Sequence, residues 1–312
     1  MTNQEKFKTM IGGQALIEGI MMRGPEKQSI VVRSPEGLVV KTEQLKLISK
    51  KYPFLGWPLI RGIVNFGGSM VGGVKALMYS AEFFPEEEEA EPSKFEQWLE
   101  QKLGSEKMEK AVIYLAAILG IAMSVGLFIL LPTFLVGLIP GLNGVYFARN
   151  LLEGLVKIAV FMGYMILVSK MKDMKRVFSY HGAEHKTIRC YEAELPLTVE
   201  NVRQQTRKHP RCGTSFLLVV ICISILAGAV IRVDNTLARM GLHLLLLLPI
   251  VSVSYELNRW VGRHDNRFTP LLTAPGQWMQ NFTTYEPDDS MIEVAITALE
   301  QVLPEQKGDD QW

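Results

Sequence analysis

Long stretches without a charged side chain alternate with polar stretches along this chain of 312 residues. The longest, residues 111–148, exceeds the roughly 20 apolar residues that an α-helix needs to cross a bilayer. The pattern therefore predicts four membrane-spanning helices, at Ala111–Ile139, Leu151–Ser169, Gly213–Ile231 and Leu237–Tyr255.

The second of these predicted spans contains two charged residues, Glu153 and Lys157. The acid precedes the base by four residues, which places both side chains on one face of a helix. Because charges within a membrane are costly unless they are paired, we expect these two residues to form an ion pair near the interface.

The distribution of basic residues predicts how the spans are oriented. Residues 170–211 hold ten lysines and arginines, whereas the stretches near residue 149 and from 232 to 239 hold few. Since cytosolic loops are enriched in Lys and Arg, we expect this large middle loop and both chain ends to lie in the cytosol. The predicted location is the cell membrane.

Several segments outside the spans have patterns of their own. Ile30–Val32 and Leu38–Val40 flank the turn residues Pro35-Glu36-Gly37 and predict a β hairpin. Leu55–Met78 is apolar and glycine-rich, but Arg61 and Lys75 interrupt it, which favours an interfacial or re-entrant segment over a fifth span. Asp288–Leu303 has apolar residues at helical spacing and predicts an amphipathic helix.

The stretch before the first span is polar. The acidic run Glu86–Glu91 and the helix-like Lys94–Met108 are typical of a solvated linker, and the alternative is a docking surface. The whole chain then divides as 1–54, a cytosolic N-terminal segment with a β hairpin; 55–80, the interfacial segment; 81–110, the acidic linker; 111–170, the first membrane pair; 171–212, a cytosolic loop; 213–258, the second membrane pair; and 259–312, a cytosolic C-terminal segment.

Composition narrows the class of protein. The chain is 48% hydrophobic with a formal net charge of +1, so its charge gives no reason to expect nucleic acid as a partner. Three cysteines without regular spacing do not predict a disulfide framework, and the polar N-terminus lacks a signal-peptide core. The predicted fold class is a mainly α polytopic membrane protein, with a cytosolic part built from both termini that contains a small β element.

The clearest chemical motif is His181-Gly-Ala-Glu184-His185 in the middle loop. In a helix, His181 and His185 lie on one face and can bind one Zn²⁺, while Glu184 can act as a general base on a water. Zinc lowers the pKa of bound water to about 7, which makes a nucleophile available at neutral pH. Three of the five histidines fall within 29 residues, and this clustering favours a metal site.

A second cluster, His209-Pro-Arg211-Cys212, directly precedes the third span. With His181 and His185, His209 and Cys212 would complete a closed, structural zinc site; if only some of the four bind, the site is catalytic. The alternative is that His209 caps a helix and that Cys212 is a buried thiol.

Glu256, near the cytosolic end of the fourth span, is a further candidate. An acid at that depth requires a partner, so Glu256 is either a metal ligand or the counter-ion of a nearby arginine such as Arg259, Arg263 or Arg211. His243 lies about 13 residues earlier, roughly 20 Å along a helix, and is excluded from the site.

Five motifs together resemble the YqhQ-like family, a bacterial family of unknown function described as predicted metal-dependent membrane enzymes. They are GGQALIEGIMMRG at 12–24, HGAEHK at 181–186, HPRCGTS at 209–215, TAPG at 273–276 and TTYEP at 283–287. The resemblance implies a multi-pass membrane protein with a metal at the histidine motif, and it implies no particular reaction. It also draws attention to Gln14 and Glu18, which we interpret either as a buried polar pair, with Arg23 as the partner of Glu18, or as contacts to the site.

These observations lead to a leading hypothesis and two rivals. The first is a zinc-dependent hydrolase at the cytosolic membrane face that acts on a peptide or a lipid, with Arg211 or Lys186 stabilising an oxyanion or phosphate. The second is a metal-stabilised scaffold that binds other membrane proteins. The third, a carrier, is disfavoured because four spans without a repeated pair of broken helices are few for a transporter.

Overall fold

The computed structural model describes residues 7–45, 48–84, 105–142, 144–264, 269–306 and 308–311. The chain forms two compact units. The first comprises Met1–Phe84, Gly163–Ser224 and Leu247–Trp312; the second comprises Pro85–Met162 and Ile225–Leu246. The predicted acidic run and the first part of the polar stretch at 94–108 lie outside the described residues.

The described part of the chain is mainly helical with one small sheet. The strands are β1 (Gly12–Leu16), β2 (Gly19–Arg23), β3 (Lys27–Ser34) and β4 (Gly37–Gln44). The helices are α1 (Ile48–Lys51), α2 (Ile60–Ala81), α3 (Ser105–Val125), α4 (Leu131–Gly137), α5 (Tyr146–Ser169), α6 (Lys172–Glu192), α7 (Val199–Arg203), α8 (Gly213–Ala229), α9 (Thr236–Arg263), α10 (Thr269–Thr283) and α11 (Asp289–Glu300).

The sheet is an antiparallel meander in the order β1-β2-β3-β4. The predicted hairpin is confirmed as β3 and β4, which extend beyond the predicted runs. The sequence did not predict β1 and β2, because glycines at 12 and 13 and polar Gln14 obscure the alternation. These two strands are joined by the two-residue turn Ile17-Glu18, where Glu18 has a φ of 48°.

The two faces of the sheet pack against different helices. Ile20, Met22 and Val31 belong to a buried cluster with residues of α6 and α11. On the opposite face, Met21 and Val32 belong to a second cluster that includes Ala76 of α2. Alternate strand residues thus pack against α6 and α11 on one face of the sheet and against α2 on the other. The face that packs against α6 positions the candidate site.

Helix α11 confirms the amphipathic helix predicted near the C-terminus. The side chain of Asp288 caps it by accepting a hydrogen bond from the backbone N–H of Met291 at 3.0 Å. Ile292 and Leu299 are fully buried, so the apolar face is the one that packs.

Three helices in the described part of the chain are long and apolar enough to cross a membrane, at Tyr114–Gly137, Tyr146–Ser169 and Thr236–Arg263. They correspond to the first, second and fourth predicted spans. The third predicted span is a shorter apolar helix, Gly213–Ala229, so a count of four is not confirmed. The apolar segment predicted to be interfacial forms most of α2, which is not among the three.

The expected ion pair within the second span is wrong. Glu153 of α5 binds two residues of α9 instead: Arg239 Nε lies 2.6 Å from its Oε1, and His243 Nε2 lies 3.2 Å from its Oε2. All of these side chains are buried, and so is Lys157. Arg149, one turn earlier in α5, also lies 3.6 Å from the carboxylate, so its partners come from α9 and from the preceding turn and not from Lys157.

Candidate metal centre

The motif at 181–185 lies in the middle of helix α6, as the sequence predicted. The helical spacing of four brings the rings of His181 and His185 together, with their centroids 4.3 Å apart. Cys212, directly before α8, joins them. One ligand atom from each of His181, His185 and Cys212 lies within 4.8 Å of the others. The structure therefore collects three residues that can bind a single metal ion.

Backbone carbonyls orient both imidazoles. His181 Nδ1 lies 2.8 Å from the carbonyl oxygen of Thr283, and His185 Nδ1 lies 2.6 Å from that of Arg207. A carbonyl can only accept, so each Nδ1 donates a proton, and in the neutral ring each Nε2 presents a lone pair. This arrangement is typical of metal-binding histidines, whose other ring nitrogen is held by an outer partner.

The Nε2 atom of His185 is the clearest sign that a ligand belongs here. It is buried and has no hydrogen-bond partner within the described residues. Buried polar atoms are seldom left unpaired, because losing water without a replacement costs free energy. A metal ion bound at this position would satisfy the lone pair.

Electrostatics make Cys212 a good ligand. Burial raises its pKa, but the adjacent imidazoles of His181 and His185 more than offset this and hold the pKa well below the usual thiol value. The reciprocal effect appears at His181, 3.2 Å from the sulfur: burial lowers its pKa, and the thiolate raises it to about 9. The two thus form a thiolate–imidazolium pair, and a metal ion bound by both would displace the imidazolium proton.

Glu184 lies beside the three ligands. Its Oε1 accepts a hydrogen bond from the backbone N–H of Gly13 in β1 at 2.9 Å, and its Oε2 lies 3.8 Å from His181 Nε2. Burial raises the pKa of this carboxyl. A carboxylate of raised pKa beside a metal site is suited to accepting and returning a proton.

A cavity of about 420 Å³ opens onto the site. It is lined by β1 and the residues before it, from Thr9 to Ala15, and by His181, Glu184, His209, Arg211 and Cys212 among others. Two of the three candidate ligands, His181 and Cys212, thus line the cavity, whereas His185 is buried and does not; access to two of them distinguishes the arrangement from a closed structural site.

His209 and Arg211 reach the cavity but do not join the ligand group. Both approach the carboxylate of Glu192 in α6: His209 Nε2 lies 3.4 Å from it, and Arg211 forms an ion pair with it. Burial lowers the pKa of His209 to about 4. His209 is therefore neutral at pH 7 and packs beside His185, with ring centroids 5.6 Å apart.

Two other predicted site residues lie elsewhere. Lys186 does not line the cavity: its Nζ donates to the carbonyl of Arg203 at 3.0 Å and forms an ion pair of 2.6 Å with Glu286. Glu256 is outside the ligand group, and its carboxylate forms an ion pair with Arg61 of α2. Glu256 is thus the counter-ion of an arginine, as one of the two interpretations held. The arginine is Arg61, however, and not Arg259, Arg263 or Arg211.

Gly182 has a role in assembling the site that the sequence did not reveal. A Cβ at this position would collide with the backbone carbonyl of Tyr285. The glycine lets residues 283–285 run close against α6, where Thr283 contacts His181. Its cost to helix stability is thus offset by the close approach it allows.

Gln280 of α10 is a supporting residue that was not predicted. Its side chain accepts from the backbone N–H of His209 at 2.8 Å and donates to the His209 carbonyl at 2.7 Å. Gly276 packs against Ser215 in the same region. The motifs at 273–276 and 283–287 flank Gln280 without including it.

Glu18 and Gln14, the polar residues singled out near the N-terminus, contact α6 and α2, respectively. Glu18 forms an ion pair with Arg176 of α6 and accepts a hydrogen bond from the Tyr180 hydroxyl at 3.1 Å; the expected pairing with Arg23 is wrong. Gln14 packs against Gly73 of α2.

The donor set agrees with zinc in its chemistry. Two neutral imidazole nitrogens and one thiolate are borderline-soft ligands, and catalytic zinc sites keep three protein ligands with one open position. Glu184 and the cavity lie on the accessible side of this site.

Comparison with known proteins finds a matching family and a similar protein. A model for the family described as "Protein of unknown function (DUF1385)" matches residues 57–305. The chain is 33% identical over 309 residues to "Uncharacterized protein YqhQ" of Bacillus subtilis (strain 168), which covers 96% of this chain and 94% of that protein. No solved structure matches significantly. The sequence matches agree with the resemblance carried by the five motifs.

Proposed function

Because the chain belongs to the DUF1385 family, whose function is unknown, we propose a function from the site itself: a zinc-dependent hydrolase at a membrane surface. The observation that carries the proposal is the group His181, His185 and Cys212, in which His181 and Cys212 line a cavity together with Glu184. Three ligands, an open side and a neighbouring general base are the components of a hydrolytic metal site.

The side chains divide the chemistry among them. His181, His185 and Cys212 would hold the zinc, which supplies Lewis-acid polarisation and lowers the pKa of a bound water. Glu184 takes a proton from the attacking water and returns it to the leaving group, and the Gly13 N–H holds the carboxylate in place for both transfers. Arg211 reaches the cavity and offers a positive charge near a developing oxyanion, although its ion pair with Glu192 reduces its freedom.

A thiol hydrolase is a second candidate, because His181 Nε2 lies 3.2 Å from the sulfur of Cys212. This is the geometry of a cysteine activated by a histidine. Such a dyad would use one histidine, however, and would leave His185 Nε2 buried without a partner. Metal binding accounts for both histidines, and we therefore favour it.

A metal-stabilised scaffold for other membrane proteins is the non-enzymatic alternative. It requires a closed coordination shell with His209 as the fourth ligand. His209 Nε2 is engaged by Glu192 at 3.4 Å, which supports the open site over the closed one.

The membrane arrangement is part of the proposal. We propose that the short apolar helix α8 also crosses, since its 17 residues span about 25 Å at 1.5 Å per residue. Four spans then leave both chain ends and the loop rich in Lys and Arg in the cytosol, in a cell membrane. A site beside the start of α8 would act on peptide or lipid substrates near the bilayer surface.

The test uses the full-length chain purified in detergent. We expect about one zinc per chain by plasma mass spectrometry, and zinc-dependent hydrolysis of either a fluorogenic peptide pool or a fluorogenic phospholipid. Glu184→Gln should retain the zinc and lose the hydrolysis. Activity that persists after complete removal of metal and is abolished by alkylating Cys212 would support the thiol hydrolase instead.

Full zinc content with no hydrolysis of either substrate, together with a chain that unfolds when the ligands are removed, would favour the scaffold.

A further inference from the structure

The two edges of the sheet differ in how they are protected from pairing with another strand. At one edge, β4 exposes Lys41 and Glu43, which form an ion pair of 3.0 Å. Charged side chains on an edge discourage pairing with a further strand. At the other edge, β1 reads GGQAL and contains neither a charge nor a proline. The edge without charged side chains or proline is the one beside the metal centre.

The register shows which backbone groups of β1 face outward. Leu16 and Gly19 close a two-residue turn and therefore exchange the hydrogen bonds of a narrow pair. In an antiparallel ladder the bonded pairs alternate, so the backbone groups of Gly13 and Ala15 point away from β2. The hydrogen bond from the Gly13 N–H to Glu184 agrees with this assignment.

The outward groups retain capacity for hydrogen bonds. Among the described residues, neither the carbonyl of Gly13 nor the N–H of Ala15 makes a bond outside the ladder. Gly12 and Gly13 are exposed and have no side chain to cover the edge. Glycine in a strand often marks a place where another backbone approaches closely.

This edge and the reactive groups share one cavity. Residues from Thr9 to Ala15 line it, and so do His181, Cys212 and Glu184. The five residues from Ile11 to Ala15 extend about 17 Å, the length of a strand of five residues. A chain lying along β1 would therefore pass next to Glu184.

We infer that the substrate is a peptide in extended conformation, which pairs with the outward carbonyl of Gly13 and the outward N–H of Ala15 on β1 and presents one peptide bond to Glu184 and the metal ligands. The inference rests on the proposed hydrolase and specifies its substrate class. Strand addition supplies affinity through main-chain hydrogen bonds and is tolerant of side-chain sequence. Hydrolysis adds water across the C–N bond: the carbonyl carbon gains the oxygen, and the departing amine takes a proton from Glu184.

The chemistry of the edge selects a peptide over a lipid. An edge strand offers N–H and C=O groups that repeat every two residues, about 6.8 Å apart. A peptide backbone has the complementary repeat of donors and acceptors. An acyl chain has neither, and it would gain nothing from the outward groups of β1.

The experiment measures binding of small hydroxamates, which bind zinc, to the zinc-loaded full-length protein in detergent. We expect a capped tetra-alanine hydroxamate to bind at least tenfold more tightly than acetohydroxamate. Single N-methylation along the peptide should weaken binding at alternate positions only, by about 2- to 10-fold for each hydrogen bond lost.

Variants at the two edges provide a matched comparison. Ala15→Pro removes an outward N–H from β1 and should weaken the peptide hydroxamate by about 2- to 10-fold while leaving acetohydroxamate unchanged. Val40→Pro removes the equivalent outward N–H from β4, because β3 and β4 are also joined by a two-residue turn, and it should change neither. The N-methylation series uses the unaltered protein and so does not depend on these variants folding.

The outcomes separate the two proposals. If acetohydroxamate binds but the peptide adds nothing, or if N-methylation has the same small effect at every position, the peptide inference is wrong and the metal site stands. If decanoyl hydroxamate binds more tightly than the peptide and Ala15→Pro has no effect, the substrate is a lipid. If no hydroxamate binds the zinc-loaded protein, the proposed hydrolase fails and the peptide inference fails with it.

Discussion

Two groups of buried polar side chains invite comparison, one in each compact unit. In the first unit, His181, His185 and Cys212 converge beside a cavity, and His185 Nε2 has no partner. In the second unit, Glu153 is bound by Arg239 and His243 between two membrane-type helices. Each group contains a histidine that lies four residues from another member on the same helix: His185 after His181 in the first, and His243 after Arg239 in the second. The side chains of both groups are largely buried.

The difference lies in how completely each group satisfies itself. In the second unit, carboxylate meets guanidinium, Arg239 also binds the side chain of Asn150, and Asn150 donates to the Ala229 carbonyl at 3.0 Å. In the first unit, both Nδ1 atoms are satisfied and His181 Nε2 lies 3.2 Å from the Cys212 sulfur, but His185 Nε2 is buried without a partner. A group whose polar atoms bind one another indicates a structural role, whereas a buried nitrogen without a partner indicates that a ligand binds there.

The largest expected effect is the loss of metal from the first group. His185→Ala should reduce zinc from about one per chain to background, because it removes one of only three protein ligands. Plasma mass spectrometry on protein purified in detergent measures this. His243→Ala is the matched control and should leave zinc content unchanged; loss of zinc from both variants would erase the contrast between the two groups.

The next effect concerns catalysis without metal loss. Glu184→Gln should lower the hydrolysis rate by about 10²- to 10⁴-fold, the usual contribution of a positioned general base. Zinc content should stay at the level of the unaltered protein. Glu192→Gln, which alters a carboxylate that binds Arg211 and not the ligands, should be far milder; equal losses in the two variants would remove the special role of Glu184.

The third effect is on the stability of the protein and concerns the second group. Arg239→Ala leaves Glu153 buried without its main partner and should lower the free energy of unfolding by about 3–5 kcal/mol. Denaturation in detergent, followed by circular dichroism, would measure the change. The double variant Glu153→Gln, Arg239→Gln removes both charges and should recover part of the loss; a double variant no better than Arg239→Ala would contradict the pairing argument.

The smallest effect tests the outer support of the metal site. Gly182→Ala places a methyl group against the Tyr285 carbonyl and should displace the segment that orients His181. We expect zinc affinity to fall by about 10- to 100-fold, the range seen when outer partners of metal ligands are lost. Competition with a chelator measures it, and Gly163→Ala, at a glycine with open space around it, serves as the control.

Local signals in the sequence were sufficient for much of the fold. Charge-free runs located three of the helices that are long enough to cross a membrane, and helical spacing located α11. The β3–β4 hairpin followed from its turn residues. The strand β1 was missed because its two glycines and Gln14 carry no alternating pattern, and it is pairing with β2 that makes them a strand.

The site was predictable where it is local and was missed where it depends on distant contacts. The spacing of His181 and His185 placed them on one face, and proximity in the sequence suggested Cys212. Glu256 was misjudged because its partner, Arg61, lies 195 residues away in the chain. The support from Gln280 depends likewise on contacts that no local pattern can specify.

The hydrogen bond between His181 and Thr283 has a consequence for the synthesis of the protein. The two residues are separated by 102 positions, so at about 5–20 residues per second the ribosome needs roughly 5–20 s to add the second after the first. During that interval the imidazole ring of His181 lacks the carbonyl that sets its tautomer. In the proposed enzyme, the fully oriented zinc site would therefore form only late in synthesis or after release, and a chain halted before residue 283 would lack this contact.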